Sequence, residues 1–228
     1  MKDRSRLQLA LLVLLPVCLG LFYFFSHPFK ETLAARSIDL SRYSPNQRLN
    51  FVTAARCLNG AVIKPHETFS FNGRVGPRQS EKGFMTAPSY LAGQRVDSIG
   101  GGICLVSSTL YQVALLSGLE IVERTPHSDT VASVAPGLDA TVWYGRADLK
   151  IRNPYDAPVA LACHVDGDSL NIAVTGDALT KLGLKGDEHS FRRRQIEEGD
   201  RQSMLVEVYL KDGLKEHLVS RDRYRLHR

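Results

Sequence analysis

The sequence predicts an α+β fold: an N-terminal membrane helix, then helices packed on a mainly antiparallel sheet, with a C-terminal β-hairpin. Three observations carry that expectation. An uncharged apolar run opens the chain, two helical patterns with start and stop signals follow, and from Ile121 the pattern turns to short strand-like runs between turn residues. The implied organisation is a cytoplasmic stub and signal-anchor over residues 1–28, a linker over 29–43, one folded domain over 44–178, and a polar connection with a hairpin over 179–228. A length of 228 residues suits one ordinary domain with such additions.

The first element is the run from Leu7 to Phe25, which holds no charged residue. About 19 residues at roughly 1.5 Å each match the hydrocarbon thickness of a bilayer. Lys2, Arg4 and Arg6 precede it, which favours a cytoplasmic N-terminus and a single-pass protein of the cell membrane, with the rest of the chain outside the cytoplasm. A cleaved signal peptide is the rival, but the Phe22-Tyr23-Phe24-Phe25 end lacks small residues suited to cleavage, and bulky Val17 before Cys18 speaks against a lipoprotein site.

His27 to Arg42 reads as a linker with a helical turn or two at Leu33-Ala34-Ala35-Arg36. A helix then starts at Ser44-Pro45-Asn46-Gln47, where Ser is the cap, Pro the first helical residue and Gln the third, and it stops before Gly60. Ala61 to Asn72 reads as two strands about a Lys64-Pro65-His66-Glu67 turn. Gly73 to Ser98 reads as an ordered loop with a short piece near Ala87 to Leu91. The helical run after Cys104 ends at Gly118. The strands expected beyond it are Ile121–Thr125, Thr130–Val134, Ala140–Gly145, Asp148–Asn153, Pro158–Val165 and Ser169–Gly176. Leu179 to Gln202 has no apolar periodicity, after which Val206, Val208 and Leu210 alternate up to an Asp212-Gly213 turn.

Composition narrows the function. A net charge of +5 is spread over the two ends rather than gathered in a tract, and no basic-aromatic motif is present, so nucleic acid is not expected as a partner. Beyond the apolar run lie Cys57, Cys104 and Cys163, and an odd number leaves at least one free thiol even in an oxidising compartment.

Cys104 is the thiol in a chemically distinctive setting. Gly100, Gly101 and Gly102 allow a tight turn with exposed amides, and Ile103, Cys104 and Leu105 then open a helix whose positive end favours a thiolate. The same amides suit the oxyanion of an acyl-transfer intermediate, and Ser107 and Ser108 add local donors. The bland alternative is a glycine turn before an inert buried cysteine. A phosphate-binding loop is disfavoured, since no Lys-Ser/Thr continuation and no Gly-x-Gly-x-x-Gly spacing follow. A nucleophilic thiol needs a base, for which His127 is the candidate, with Asp139 or Asp148 to orient it. Structural roles stand beside each of these readings, and Cys57, Cys163, His66 and His164 have only structural ones. No close ligand pair supports a metal, and no cofactor motif is present.

Phe69-Ser70-Phe71-Asn72, Gly76-Pro77-Arg78, Gly83-Phe84, Ala87-Pro88, the run from Gly100 to Tyr111, Glu123-Arg124, His127-Ser128, Asp139 to Val142, Tyr144-Gly145 and Asp148 to Asn153 together resemble the VanW family over about residues 46–177. Ser220 to Tyr224 also resembles the ends of such proteins. Leu105 departs from the Gln frequent in the family, and His66 from its usual Gly.

The resemblance implies a cell-wall role, and in some members a cysteine-dependent L,D-transpeptidase that cross-links peptidoglycan. Cys104 would then carry a thioester, His127 would move protons and Asp139 would orient it. Arg78, Arg124, Ser107, Ser108 and Tyr144 would contact peptidoglycan or its precursors. The alternative implication is a non-catalytic wall-binding or assembly module.

Overall fold

The computed structural model describes residues 29–91, 94–183, 190–197, 202–212 and 215–226. The expected membrane helix at Leu7–Phe25 lies outside them, and among the described residues no helix is long and apolar enough to cross a membrane.

The expected α+β architecture, helices on one main sheet, is overturned. Twelve strands dominate the described residues and fall into four separate antiparallel sheets, with four short α-helices among them. The largest sheet has the order β1-β9-β8-β2, formed by Glu31–Asp39, Ser169–Gly176, Val159–Asp166 and Val62–Ile63. Strand β9 alternates strictly, with Leu170, Ile172 and Val174 buried, so its register is set by one apolar face. Strand β1 is where a helical turn was expected. The good helix formers Ala34-Ala35-Arg36 pair with β9 instead, after an irregularity at buried Leu33, because a ladder and the burial of Leu33 outweigh local propensity.

Helix α1 (Pro45–Leu58) packs on β8. Its start is a complete capping box: the Ser44 hydroxyl accepts from the Gln47 amide and the Gln47 side chain accepts from the Ser44 amide. A small sheet β3-β7-β6 (Thr68–Ser70, Lys150–Arg152, Glu120–Glu123) follows, with helix α2 (Phe71–Val75) taking over where Phe71 and Asn72 were expected to extend a strand. Two strands, β4 (Thr86–Leu91) and β5 (Gln94–Ile99), form a separate ribbon within the segment expected to be mostly loop. Helix α3 (Cys104–Leu116) is buried at every position from Leu105 to Leu115, as an all-round apolar helix must be, and it packs against β1, β9 and β6. Of its residues, only Cys104 at its start and Leu116 at its end are partly exposed. Helix α4 (Ala178–Gly183) comes after β9.

Thr130–Val134 and Ala140–Gly145 are not strands. Both run as loops, the second held by single bridges from Thr141 to Thr125 and from Trp143 to Ala147. The C-terminal region is a three-stranded sheet β10-β11-β12 (Ser190–Glu197, Ser203–Asp212, Lys215–Arg225), so part of the expected polar connection is a strand. Strand β10 escaped notice because an edge strand needs no apolar alternation. Its exposed Arg192 pairs with Glu216 across the sheet. This sheet has a small core of Val206, Val208 and Tyr224, against which Leu138 packs.

Candidate active site

Burial of α3 pushes its N-terminus into the floor of a groove of about 780 Å³. The glycine turn fits that place at each residue. Gly100 and Gly102 have φ of 79° and 89°, a region that favours glycine. A Cβ at Gly101 would lie 1.9 Å from the carbonyl oxygen of Ala87, so the turn is pressed against β4. From the other side, fully buried Asn50 on α1 donates to the carbonyls of Gly101 and Met85, 3.0 Å each, and accepts from the Met85 amide at 2.7 Å. Asn50 did not stand out in the sequence. Its only signal is a polar side chain beside Phe51 on the buried face of α1.

The amides of the turn divide into two sets. Those of Gly100, Gly101, Ile103 and Leu105 donate to Met85, Ser98, Gly100 and Gly102 respectively. Those of Gly102 and Cys104 have no backbone acceptor among the described residues, and both residues line the groove. Of the expected oxyanion donors, therefore, Gly100, Gly101, Ile103 and Leu105 are committed elsewhere, and the amide of Cys104 joins that of Gly102.

The Cys104 thiol lies 3.9 Å from the carbonyl of Val142, and both Cys104 and His127 line the groove, where Cys104 is among the groups that raise the His127 pKa. His127 Nδ1 is 2.6 Å from Asp139 Oδ2, and the same oxygen accepts from the His127 amide at 2.7 Å. With Nδ1 committed to Asp139, Nε2 is the nitrogen left for the thiol. Burial works against the imidazolium, but the bond to Asp139 and the influence of Cys104 outweigh it and hold the His127 pKa at about 9. Burial likewise opposes the Asp139 carboxylate, yet His127 and Arg124 bring it down to about 2. Asp148, the other candidate, is spent on structure: it accepts from the Ser70 hydroxyl and from the amides of Asn72 and Leu149.

Behind Asp139 lies a set of residues that sequence reasoning assigned differently or missed. Arg124 was expected to meet substrate, but its side chain is only 6% exposed. It donates to Asp139 Oδ1 at 3.0 Å, to the Asp139 carbonyl at 2.7 Å and to Asp222 at 2.5 Å, and lies over the Tyr111 ring. Burial lowers its pKa, and the influence of Tyr111, Asp139 and Asp222 raises it by more. Tyr224 donates to Asp139 Oδ1 at 2.6 Å and accepts from the Gly137 amide at 2.7 Å. Ser107 and Ser108 also face inward rather than toward a ligand. Both are fully buried, and their hydroxyls clamp Ala140, one donating to its carbonyl and the other accepting from its amide. They hold the strand-like segment that follows Asp139 against α3.

Arg78 and Tyr144 do line the groove, with Tyr43, Tyr90 and Trp143. Cys163 lies in β8, where burial pushes its thiol up to about 12, so it is no rival to Cys104. Among the described residues no group of three or more His, Cys, Asp and Glu side chains is gathered as for a metal ion.

A family model described as VanW like protein matches residues 46–175. The chain is 40% identical over 125 residues to Uncharacterized protein YoaR of Bacillus subtilis (strain 168), covering 55% of this chain and 41% of that one. It is 32% identical over 137 residues to Vancomycin B-type resistance protein VanW of Enterococcus faecalis (strain ATCC 700802 / V583), covering 56% and 48%. The chain thus matches less than half the length of either relative. No solved structure matches. The matched span takes in Cys104, His127 and Asp139, stops short of Asp222 and Tyr224, and covers more than half of the sequence: the chain belongs to the VanW family.

Proposed function

We propose that the chain is a cysteine acyl transferase that acts outside the cytoplasm on peptidoglycan stem peptides, in the manner of an L,D-transpeptidase. The observation that carries this reading is the line Cys104–His127–Asp139 at the floor of a groove, with the unpaired amides of Gly102 and Cys104 beside it. A relative named for vancomycin resistance supports a cell-wall substrate.

In this reading the Cys104 thiolate attacks the carbonyl carbon of the donor peptide and forms a C–S bond. The oxyanion rests on the two free amides. The C–N bond then breaks, His127 gives its proton to the leaving amine, and a thioester remains on Cys104. An amine of a second stem attacks the thioester, His127 takes up its proton, and the thiolate is released. Asp139 stays ionised throughout and holds the imidazole by Nδ1. Water in place of the amine makes the same site a peptidase.

The test is to incubate the full-length chain with a disaccharide-tetrapeptide and weigh protein and products by mass spectrometry. The expected result is an acyl adduct on Cys104 with loss of the terminal residue, absent in Cys104→Ala. A folded protein that forms no adduct, and whose Cys104 resists iodoacetamide at neutral pH, would sink this reading in favour of a non-catalytic wall-binding module.

A further inference from the structure

Among the side chains around the groove, Arg78 is incompletely paired. Its Nη1 donates to the Gly76 carbonyl at 2.8 Å, and its guanidinium sits 5.5 Å from the centre of the Phe71 ring. Its Nη2 is buried and has no protein partner. Buried donors are rarely left so, and a charged one least of all. Asp148, the acid nearest in influence, has its oxygens engaged by Ser70, Asn72 and Leu149.

The same turn that presents Cys104 also seats this arginine. A Cβ at Gly100 would lie 2.7 Å from Arg78 Cγ and 2.9 Å from its Cβ, so the arginine stem passes where only glycine leaves room. Burial lowers the Arg78 pKa, and Cys104 is the first of the neighbours that oppose this. The lining of the groove has a single sign. It includes Arg42, Arg78, Arg95 and His127, and no Asp or Glu. A cleft of that kind draws anions, and a guanidinium with a free edge matches the two oxygens of a carboxylate.

We infer that Arg78 receives the terminal carboxylate of the donor peptide, so that the site takes chains ending at the residue to be released. The inference rests on the acyl-transfer reading for the position of the scissile bond. The glycine turn that presents Cys104 also seats Arg78, so the guanidinium is held beside the nucleophile, as a carboxylate one residue beyond that bond requires.

The test uses the full-length chain as Cys104→Ala, which binds without turnover. Titration calorimetry compares an N-acylated tetrapeptide stem ending in a free acid with the same peptide ending in a carboxamide. The acid should bind roughly 10- to 100-fold more tightly, the ratio expected of a charge-assisted contact. Arg78→Met in the same background should bring the two affinities together. Equal affinity with Arg78 in place, or binding of neither peptide, overturns the inference, and no mutant at Arg78 is needed to see it. Amidation of an internal side-chain carboxylate instead should change little, and a loss confined to that peptide also overturns it. A thioester on the native chain without an acid preference would keep the acyl transfer and remove this subsite. A preference without any thioester would keep the carboxylate site and remove the chemistry.

Discussion

The two sides of the Cys104–His127 pair are finished differently. Toward the C-terminal sheet, both oxygens of Asp139 are engaged: His127 holds one, Arg124 bridges the other to Asp222, and the Tyr224 hydroxyl both donates and accepts. Among the described residues that line the groove, the amides of Gly102 and Cys104, the Arg78 Nη2 and the Tyr43 hydroxyl have no hydrogen-bond partner. The arginines show the contrast most directly. Arg124 has its pKa raised by its surroundings, whereas burial lowers that of Arg78. A saturated network fixes a geometry, and an unsaturated one leaves free energy to be recovered when a ligand arrives. The closed side therefore sets the position of the imidazole, and the open side is where selectivity belongs.

The sharpest way to break this division is at its centre. Asp139→Asn removes the charge that holds the His127 tautomer, and should lower the acylation rate on the order of 10³- to 10⁴-fold. Single-turnover mass spectrometry of the Cys104 adduct reads it, and a loss below tenfold would make Asp139 a structural residue only. Next is Arg124→Met. It leaves buried Asp222 without the Arg124 cation and Asp139 with His127 alone, so urea unfolding should show a loss of about 3–5 kcal/mol. Peptide affinity in the surviving folded fraction should not fall in proportion, since Arg124 does not reach the groove.

Titration gives a third test. The His127 pKa is raised from an ordinary 6.5 to about 9, so the stability its ion pair contributes is full below the unfolded value and is lost as pH rises through about 9. Asp139 is held at about 2, so its share is present above its ordinary 3.8 and goes only as pH falls through about 2. Melting temperature should then decline between roughly pH 7 and 10 in the native chain and stay flatter in His127→Gln. Acylation should fall over the upper part of that range, as the imidazolium that protonates the leaving amine disappears.

How much of this division the sequence shows depends on chain distance. The open side is local, a glycine run against a helix start, and Cys104 and His127 stand out from residue chemistry and spacing, whereas Arg78 enters only through the family resemblance, beside Arg124. The capping box at Ser44 and the alternation of β9 are local too, and both are plain in the sequence. The closed side joins Asp139 to Tyr224 on β12, 85 residues apart. Such a contact leaves no mark in composition. The same blindness placed Arg124, Ser107 and Ser108 in the substrate site: donors near a nucleophile look alike until burial shows which way they face.

Tyr224→Phe probes that long-range join with a small change. It deletes one hydroxyl that serves Asp139 and Gly137, leaving a buried amide without an acceptor. A loss of about 1–3 kcal/mol in unfolding is expected. The pH limit of acylation should move down as well, because Asp139 is less firmly held. An unchanged limit would assign Tyr224 to packing alone.

The smallest expected effect is on the open side, and its smallness is the point. Arg78→Met removes one hydrogen bond to the Gly76 carbonyl and a contact with Phe71, but it also removes a cation that burial disfavours and a buried donor that nothing satisfies. Methionine keeps an apolar stem beside Gly100. These terms oppose each other, so the unfolding free energy should stay within about 1 kcal/mol of the native chain. The same variant should bind the acid-ended peptide 10- to 100-fold more weakly, if the charge-assisted contact is the one lost. Loss of stability on the scale of Arg124→Met would show that Arg78 is a structural cation like its counterpart, and the two sides of the site would no longer differ in kind.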